Sequence, residues 1–360
     1  MEVLLPLLAG KNVGLVVNQS SLVGKVHLVD TLRAQGICVA RIFPPEHGFR
    51  GAGDAGELIA DDQDAATGAP IISLYGKRRK PHPEDFEGLD VVVFDIQDVG
   101  VRFYTYISTL FYVLEACAEQ GKPVIVLDRP NPNGFYTDGP LMDMRLSSFL
   151  GIAPLPIVHG CTVGELARMF AGEYWLHQAA QLKLKVIACE NYTHRTAYDL
   201  PVKPSPNLPT TRAILLYPSI GLFEGTLVSV GRGTEMQFQI VGHPRYPSDS
   251  FWFVPRPNFG SKRPPWEGWV CKGIDLHQIP IDTLRAQKQL NLNYLLDFYR
   301  DFPDKTAFFT PNNSFELHVG TSSLRLQMEA GCNEAEIRAT WQADLDAYRE
   351  IRKKYLLYPD

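Results

Sequence analysis

Residues 91–100 read VVVFDIQDVG, a strand-length apolar run that breaks into polar side chains at Asp95, Gln97 and Asp98 before a glycine. The run is apolar at every position rather than at every second one. That pattern marks a strand covered on both faces, and such strands belong to parallel sheets. The next segment, Tyr104–Gln120, carries Ile107, Leu110, Phe111 and Leu114 at helical spacing and stops at Gly121. Strand followed by helix is the repeating unit in both directions. Upstream lie apolar runs at Val13–Val17, Val39–Phe43 and Pro70–Leu74, with a helical pattern over His27–Gln35 that ends at Gly36. Downstream come Val124–Leu127, a helix over Val163–Phe170 and a strand at Leu184–Ala188. This alternation predicts an α/β fold around a mostly parallel sheet.

The texture changes after residue 230. Phe251–Trp269 is dense in proline and aromatics, and strand-like pieces follow at Trp269–Leu276 and Phe315–Val319. Helical patterns cover Leu292–Arg300 and Asn333–Tyr355, the second opening on a capping box of Asn333 with Glu336. The expected division is 1–230 as the α/β domain and 231–360 as a smaller α+β domain.

Composition narrows the function. At 360 residues, 45% hydrophobic and 21% charged, the chain can bury a large core. Net charge is −5, and the one basic tract, Lys77–Lys80, has no interleaved aromatics, so nucleic acid is not expected as a partner. No apolar run reaches the roughly 18 residues of a membrane span. The opening MEVLLPLLAGK lacks a basic n-region and is broken by Pro6, so it does not read as a signal peptide. The six cysteines are scattered without a CxxC pair, which argues against a zinc ribbon.

In open α/β sheets, ligands bind beyond the carboxyl ends of the strands. Those ends read Asn18-Gln19, Glu46-His47, Tyr75-Gly76, Asp95 to Asp98, and Asp128 to Asn131, all polar, as if lining one site. A dinucleotide is not expected there, because the first strand is followed by NQSSLVG and not by GxGxxG. Walker and GxSxG motifs are also missing. Candidate proton-transfer groups are Glu46, His47, Asp54, Asp95, Asp98, Asp128, His159, Glu165 and Glu224. Glu46 follows Pro45 at a buried strand end, where desolvation favours the protonated form a general acid needs. Glu165 reads as the partner of Thr162 in a capping box. Glu46, His47, Asp98, Asp128 and His159 could be imagined around a divalent ion. No element carries a ligand spacing such as HExxH, so no metal is expected.

The blocks FPPEHGFRG, SLYG, VVVFDIQDVGVRFYTYISTL, VLDRPNPN with DGP, SPNLPT and LYPSIGLFEGTLVSVGRGTEMQFQIVGHP resemble the exo-β-N-acetylmuramidase family of the NamZ type. The similarity runs from about residue 10 to the C-terminus. It implies a Rossmann-like domain with an auxiliary domain and a cleft between them. It also implies exo-cleavage of β-1,4-linked N-acetylmuramic acid from the non-reducing end of peptidoglycan-derived saccharides, without a cofactor, and export to the periplasm or the extracellular space. The glutamate of the PEHG block, Glu46, is the implied catalytic acid, beside His47. Asp98 is the expected second carboxylate, with Glu224 in reserve. Arg50, Arg102, Arg129 and Arg232 are candidates for the lactyl carboxylate. Asn18, Gln19, Gln97, Tyr104, Asp128, Asn131, His159 and Asn207 are candidates to line the sugar site. Phe251–Trp269, with Trp252 and Trp266, is expected to wall the cleft. Two rival readings of the same pocket are a non-catalytic muropeptide-binding protein and a metal-dependent hydrolase.

Overall fold

A computed structural model describes residues 1–49, 62–64 and 68–360. Its centre is a seven-stranded sheet built from β1 (Asn12–Val17), β2 (Cys38–Ile42), β3 (Asp62–Gln63), β4 (Pro70–Ile71), β5 (Val91–Asp95), β6 (Val124–Leu127) and, after a separate hairpin described below, β9 (Leu184–Ile187). The order across the sheet is β9-β6-β5-β1-β2-β4-β3, and every pairing is parallel except that of β3 with β4 at the edge. Taking the six parallel strands in chain order, this is 3-2-1-4-5-6 read from β4 to β9, the Rossmann arrangement.

Burial on both faces explains the unbroken apolar runs. Val13, Leu15 and Val17 of β1, with Val91 and Val93 of β5, pack on one face against Leu28, Val29 and Leu32 of α1 (Leu28–Ala34). Val16, Val92 and Phe94 point to the other face, under α2 (Tyr106–Glu119) and α3 (Val163–Gly172). That second core continues without a break to Phe298, Phe308 and Tyr348 in the last third of the chain. The two halves therefore share one apolar interior.

Between β6 and β9 the chain forms an antiparallel pair, β7 (Asp138–Leu141) and β8 (Pro156–Val158). α4 (Thr211–Ile220) then leads into a second sheet of antiparallel strands β10 (Ile240–His243), β11 (Trp252–Phe253) and β12 (Cys271–Asp275), in the order β10-β12-β11. Helices complete this part: α5 (Asn293–Asp301), α6 (Ser314–Val319), α7 (Glu334–Ala339) and α8 (Gln342–Lys353). No helix among the described residues is long and apolar enough to cross a membrane.

Two expectations are corrected. Phe315–Val319 alternates apolar and polar like a strand, yet it is helical, and Gly320 at φ 83 ends it by donating to Glu316 O at 2.7 Å. The predicted final helix is two helices. Thr340 Oγ1 bonds back to Ile337 O at 2.7 Å and Trp341 turns into the core, which breaks the helix between α7 and α8. The capping boxes at Asn333/Glu336 and Thr162/Glu165 are both present.

In the small sheet, His243 is buried edge-on between Trp266 (4.6 Å) and Phe302 (4.8 Å). Its Nδ1 accepts from Arg245 N at 3.1 Å. Burial, helped by the nearby Arg245 charge, lowers its pKa from 6.5 to about 4. The unfolded chain therefore binds a proton that the fold excludes, and His243 costs the fold stability as pH falls from 6.5 to about 4. Urea unfolding at several pH values should show wild type losing stability relative to His243→Phe across that window. Parallel curves would remove this role.

Candidate active site

The PEHG block forms a tight turn at the carboxyl end of β2. Gly48 N donates to Pro45 O at 3.0 Å, which puts His47 third in the turn at φ 70. Type II turns normally use glycine there. A left-handed conformation costs a residue with a Cβ about 1–2 kcal/mol. Strain of this kind collects where side-chain placement matters. The turn buries His47 and leaves Glu46 half-buried, facing a cavity of about 180 Å³.

One wall of the cavity is aromatic. Phe103, Tyr104 and Tyr106 come from the approach to α2, Tyr217 from α4 and Phe238 from the loop before β10. Tyr217 meets Phe238 edge-to-face at 4.8 Å, Phe103 at 5.2 Å and Tyr104 at 6.0 Å. Burial holds the phenols of Tyr104, Tyr106 and Tyr217 protonated, well above the usual range. Ser205, Asn207, Leu208 and Leu150 complete much of the rim.

Glu46 Oε2 accepts from Thr105 Oγ1 at 2.8 Å. A second donor is Tyr75, whose phenol is raised by burial first and then by the charge and hydrogen bond of Glu46. The other carboxylate in the cavity is Glu224, on the turn after α4. Its Oε1 accepts from Arg232 Nη2 at 2.6 Å and Nε at 3.0 Å. Burial opposes the Arg232 charge, but Glu224 outweighs it and keeps the guanidinium firmly protonated. Arg232 also lies over the Phe238 ring, 5.2 Å from its centre. His318, from α6, stands beside this pair with Nε2 3.9 Å from Glu224 Oε2. Its Nδ1 lies 3.1 Å from Ser314 O, and a carbonyl only accepts, so Nδ1 carries the hydrogen of that bond. Burial lowers the His318 pKa against the pull of the Glu224 charge.

Of the residues expected from sequence, the cavity gathers Glu46, His47, Tyr104, Asn207, Glu224 and Arg232. Arg50 and Asp54 lie outside the described residues. The others are turned to structural work, because strand ends carry backbone groups that need partners once buried. Asp98 does not line the cavity; it is buried, accepts from Gly100 N at 2.6 Å and faces His159 Nε2 at 3.6 Å. Arg102 is fully buried, donating to Leu155 O and His318 O at 3.2 and 2.7 Å, and burial lowers its pKa to about 9. Arg129 is clamped on Asp95 at 2.6 and 3.0 Å. Asp128 accepts from Thr162 Oγ1, Gly164 N and Tyr358 OH at 2.6–2.7 Å, pinning α3 to the chain's C-terminal tail. Asn131 Nδ2 holds Cys161 O at 2.8 Å, and its side chain packs so close to Gly100 (φ 80) that a Cβ there would lie 2.1 Å from Oδ1. Asn18 caps Ser20, Gln19 reaches Pro204 O at 2.9 Å, and Gln97 ties Asp98 O to Pro130 O, both at 2.8 Å. The strand ends thus interlock with one another, and among the described residues of those ends Glu46 and His47 are the ones that line the cavity. Trp266 also faces inward, donating from Nε1 to Leu227 O at 2.6 Å, whereas Trp252 is exposed.

Thr105, Tyr217 and His318 had no part in the site expected from sequence. The FELHV stretch that carries His318 gave a strand-like pattern, and nothing local in it points toward Glu224. Among the described residues, no three His, Cys, Asp or Glu side chains converge as a metal-binding set.

Comparison with known proteins places this geometry in a family. Residues 13–212 match the model for the N-terminal part of the exo-β-N-acetylmuramidase NamZ, and residues 215–358 match that for its C-terminal part. The chain is 36% identical over 371 aligned positions to the peptidoglycan β-N-acetylmuramidase NamZ of Bacillus subtilis strain 168, covering 98% of this chain and 88% of that protein. Two crystal structures of DUF1343 family proteins from Bacteroides fragilis NCTC 9343 are similar throughout. One superposes with a TM-score of 0.92 at 44% identity, covering 100% of this chain and 97% of the other. The second gives 0.85 at 27%, covering 99% and 96%. With both family models matched end to end, the chain belongs to the exo-β-N-acetylmuramidase NamZ family.

Proposed function

We propose that this protein is an exo-acting glycoside hydrolase that releases β-1,4-linked N-acetylmuramic acid from the non-reducing end of peptidoglycan fragments. The observation that carries the reading is a cavity of about 180 Å³ in which Glu46 shares the space with a Glu224–Arg232 pair, within this family.

Glu46 is the general acid, delivering its proton to the glycosidic oxygen as the bond breaks. Thr105 and Tyr75 hold the carboxyl in orientation. Glu224 takes the place expected of Asp98 as the second carboxylate, because Asp98 lies outside the cavity lining. Arg232 is the arginine among the described lining residues, and its remaining N–H groups are suited to the lactyl carboxylate. Since peptidoglycan lies outside the cytoplasm, the reading carries export of the protein with it.

The test compares β-glycosides of N-acetylmuramic acid and N-acetylglucosamine bearing the same chromophore. The muramic acid substrate should have a kcat/KM roughly 10- to 100-fold higher, since a hydrogen bond to a charged group contributes about 1.5–3 kcal/mol. Equal constants would remove carboxylate recognition by Arg232. No turnover of either substrate would remove the glycosidase itself.

A further inference from the structure

We propose that Phe259 forms the floor of a second sugar subsite, which holds the residue next to the N-acetylmuramic acid in the cavity; this rests on the glycosidase reading above. An exo-acting enzyme holds the terminal sugar in the cavity, so the rest of an oligosaccharide must leave past the neighbouring segments. The segment 256–264 runs as a strap between two stretches that contribute lining residues, bonded to Asn207 on one and to Thr234 on the other. Asn258 and Ser261 exchange backbone hydrogen bonds at 3.1 and 3.2 Å, making a tight hairpin with Phe259 and Gly260 at its tip.

The strap is clamped from two sides by segments that line the cavity. On one side Asn207, itself a lining residue, donates from Nδ2 to Gly260 O at 2.7 Å. Gly260 (φ 96) packs so tightly there that a Cβ would lie 2.5 Å from Pro206 Cβ. On the other side Asn258 Nδ2 donates to Thr234 O at 3.0 Å and Arg256 N to Gly233 O at 2.8 Å, directly after the lining residue Arg232. The tip is therefore fixed relative to Glu46 and Glu224, which is what a subsite requires.

Phe259 is 69% exposed on this fixed tip. Single exposed apolar residues are ordinary. Here, however, the most exposed aromatics among the described residues are Trp252, Phe259, Trp269 and Tyr174, and three of those four fall within 252–269. The turn itself is held by polar bonds, so the ring is not needed to pack it. A rigid aromatic ring loses little conformational entropy when a ligand stacks on it. The C–H face of a pyranose ring is the apolar surface that fits such a ring.

The experiment uses two substrates of the whole protein. One is the β-fluoride of N-acetylmuramic acid, which has no second sugar; the other is a tetrasaccharide of peptidoglycan glycan. Phe259→Ala should raise KM for the tetrasaccharide about 5- to 10-fold, the worth of one aromatic contact, while fluoride hydrolysis stays within about twofold. Phe259→Trp should restore the tetrasaccharide KM, which a purely structural role for the tip would not predict. An unchanged tetrasaccharide KM in Phe259→Ala overturns the subsite, and so does an equal loss on both substrates, which would mean the tip shapes the cavity. Failure of the wild type to cleave either substrate would instead overturn the glycosidase reading beneath it.

Discussion

Glu46→Gln is expected to lower kcat for substrates with poor leaving groups by on the order of 10²-fold or more, the usual contribution of a positioned general acid. The substitution keeps the shape of the side chain, and glutamine can still accept from Thr105 Oγ1, so the urea midpoint should stay near wild type. What it removes is the transferable proton. The loss should therefore shrink as the leaving group improves, because a dinitrophenolate departs without protonation. This dependence separates an acid from a residue that only shapes the cavity. Near-normal turnover of an oligosaccharide by the variant would sink the assignment. A loss of equal size across all leaving groups would point to Glu46 acting at the anomeric centre instead.

The second large effect is on stability. Glu165 is fully buried, and its carboxylate accepts from Thr162 N at 2.9 Å, Leu357 N at 2.8 Å and His194 Nε2 at 3.0 Å. These bonds close the start of α3, seat the C-terminal tail and fix a buried histidine in one step. Glu165→Ala leaves all three groups unpaired inside the protein, and breaking a buried pair of this type costs about 3–5 kcal/mol. Chemical unfolding at neutral pH should show a midpoint lowered accordingly, with the remaining folded fraction turning over substrate normally. A loss below about 1 kcal/mol would mean that water or a tail shift replaces the carboxylate.

These two glutamates illustrate how much of the site could be read from the chain. Glu165 was legible because a capping box is a local device: Thr162 and Glu165 are three residues apart and the spacing alone predicts the bonds. Glu46 was legible for a related reason, since Pro45 and Gly48 mark a tight turn directly after an apolar strand. Asp98, by its place at a strand end, was as suitable as Glu46, but in the fold its Oδ2 meets Gly100 N and His159 Nε2 and it is not among the lining residues of the cavity. Arg102 is likewise drawn elsewhere, to three backbone carbonyls from distant segments that no local pattern announces.

The sequence by itself determined the layering of this protein. The unbroken apolar runs Val13–Val17, Val91–Phe94 and Val124–Leu127 within β1, β5 and β6 can only be satisfied by burial on both faces, and the intervening helical stripes supply the covers. It also determined the helix caps and the turn that presents Glu46, which depend on neighbours a few residues away. The tertiary structure alone decided which polar strand ends face the cavity and which lock onto one another. It alone brought Tyr75, Glu224, Arg232 and His318 to Glu46. Those partners lie between 29 (Tyr75) and 272 (His318) positions from Glu46 along the chain. Their meeting depends on how α4 and α6 pack against the shared core, a free energy summed over many side chains and carried by no short motif.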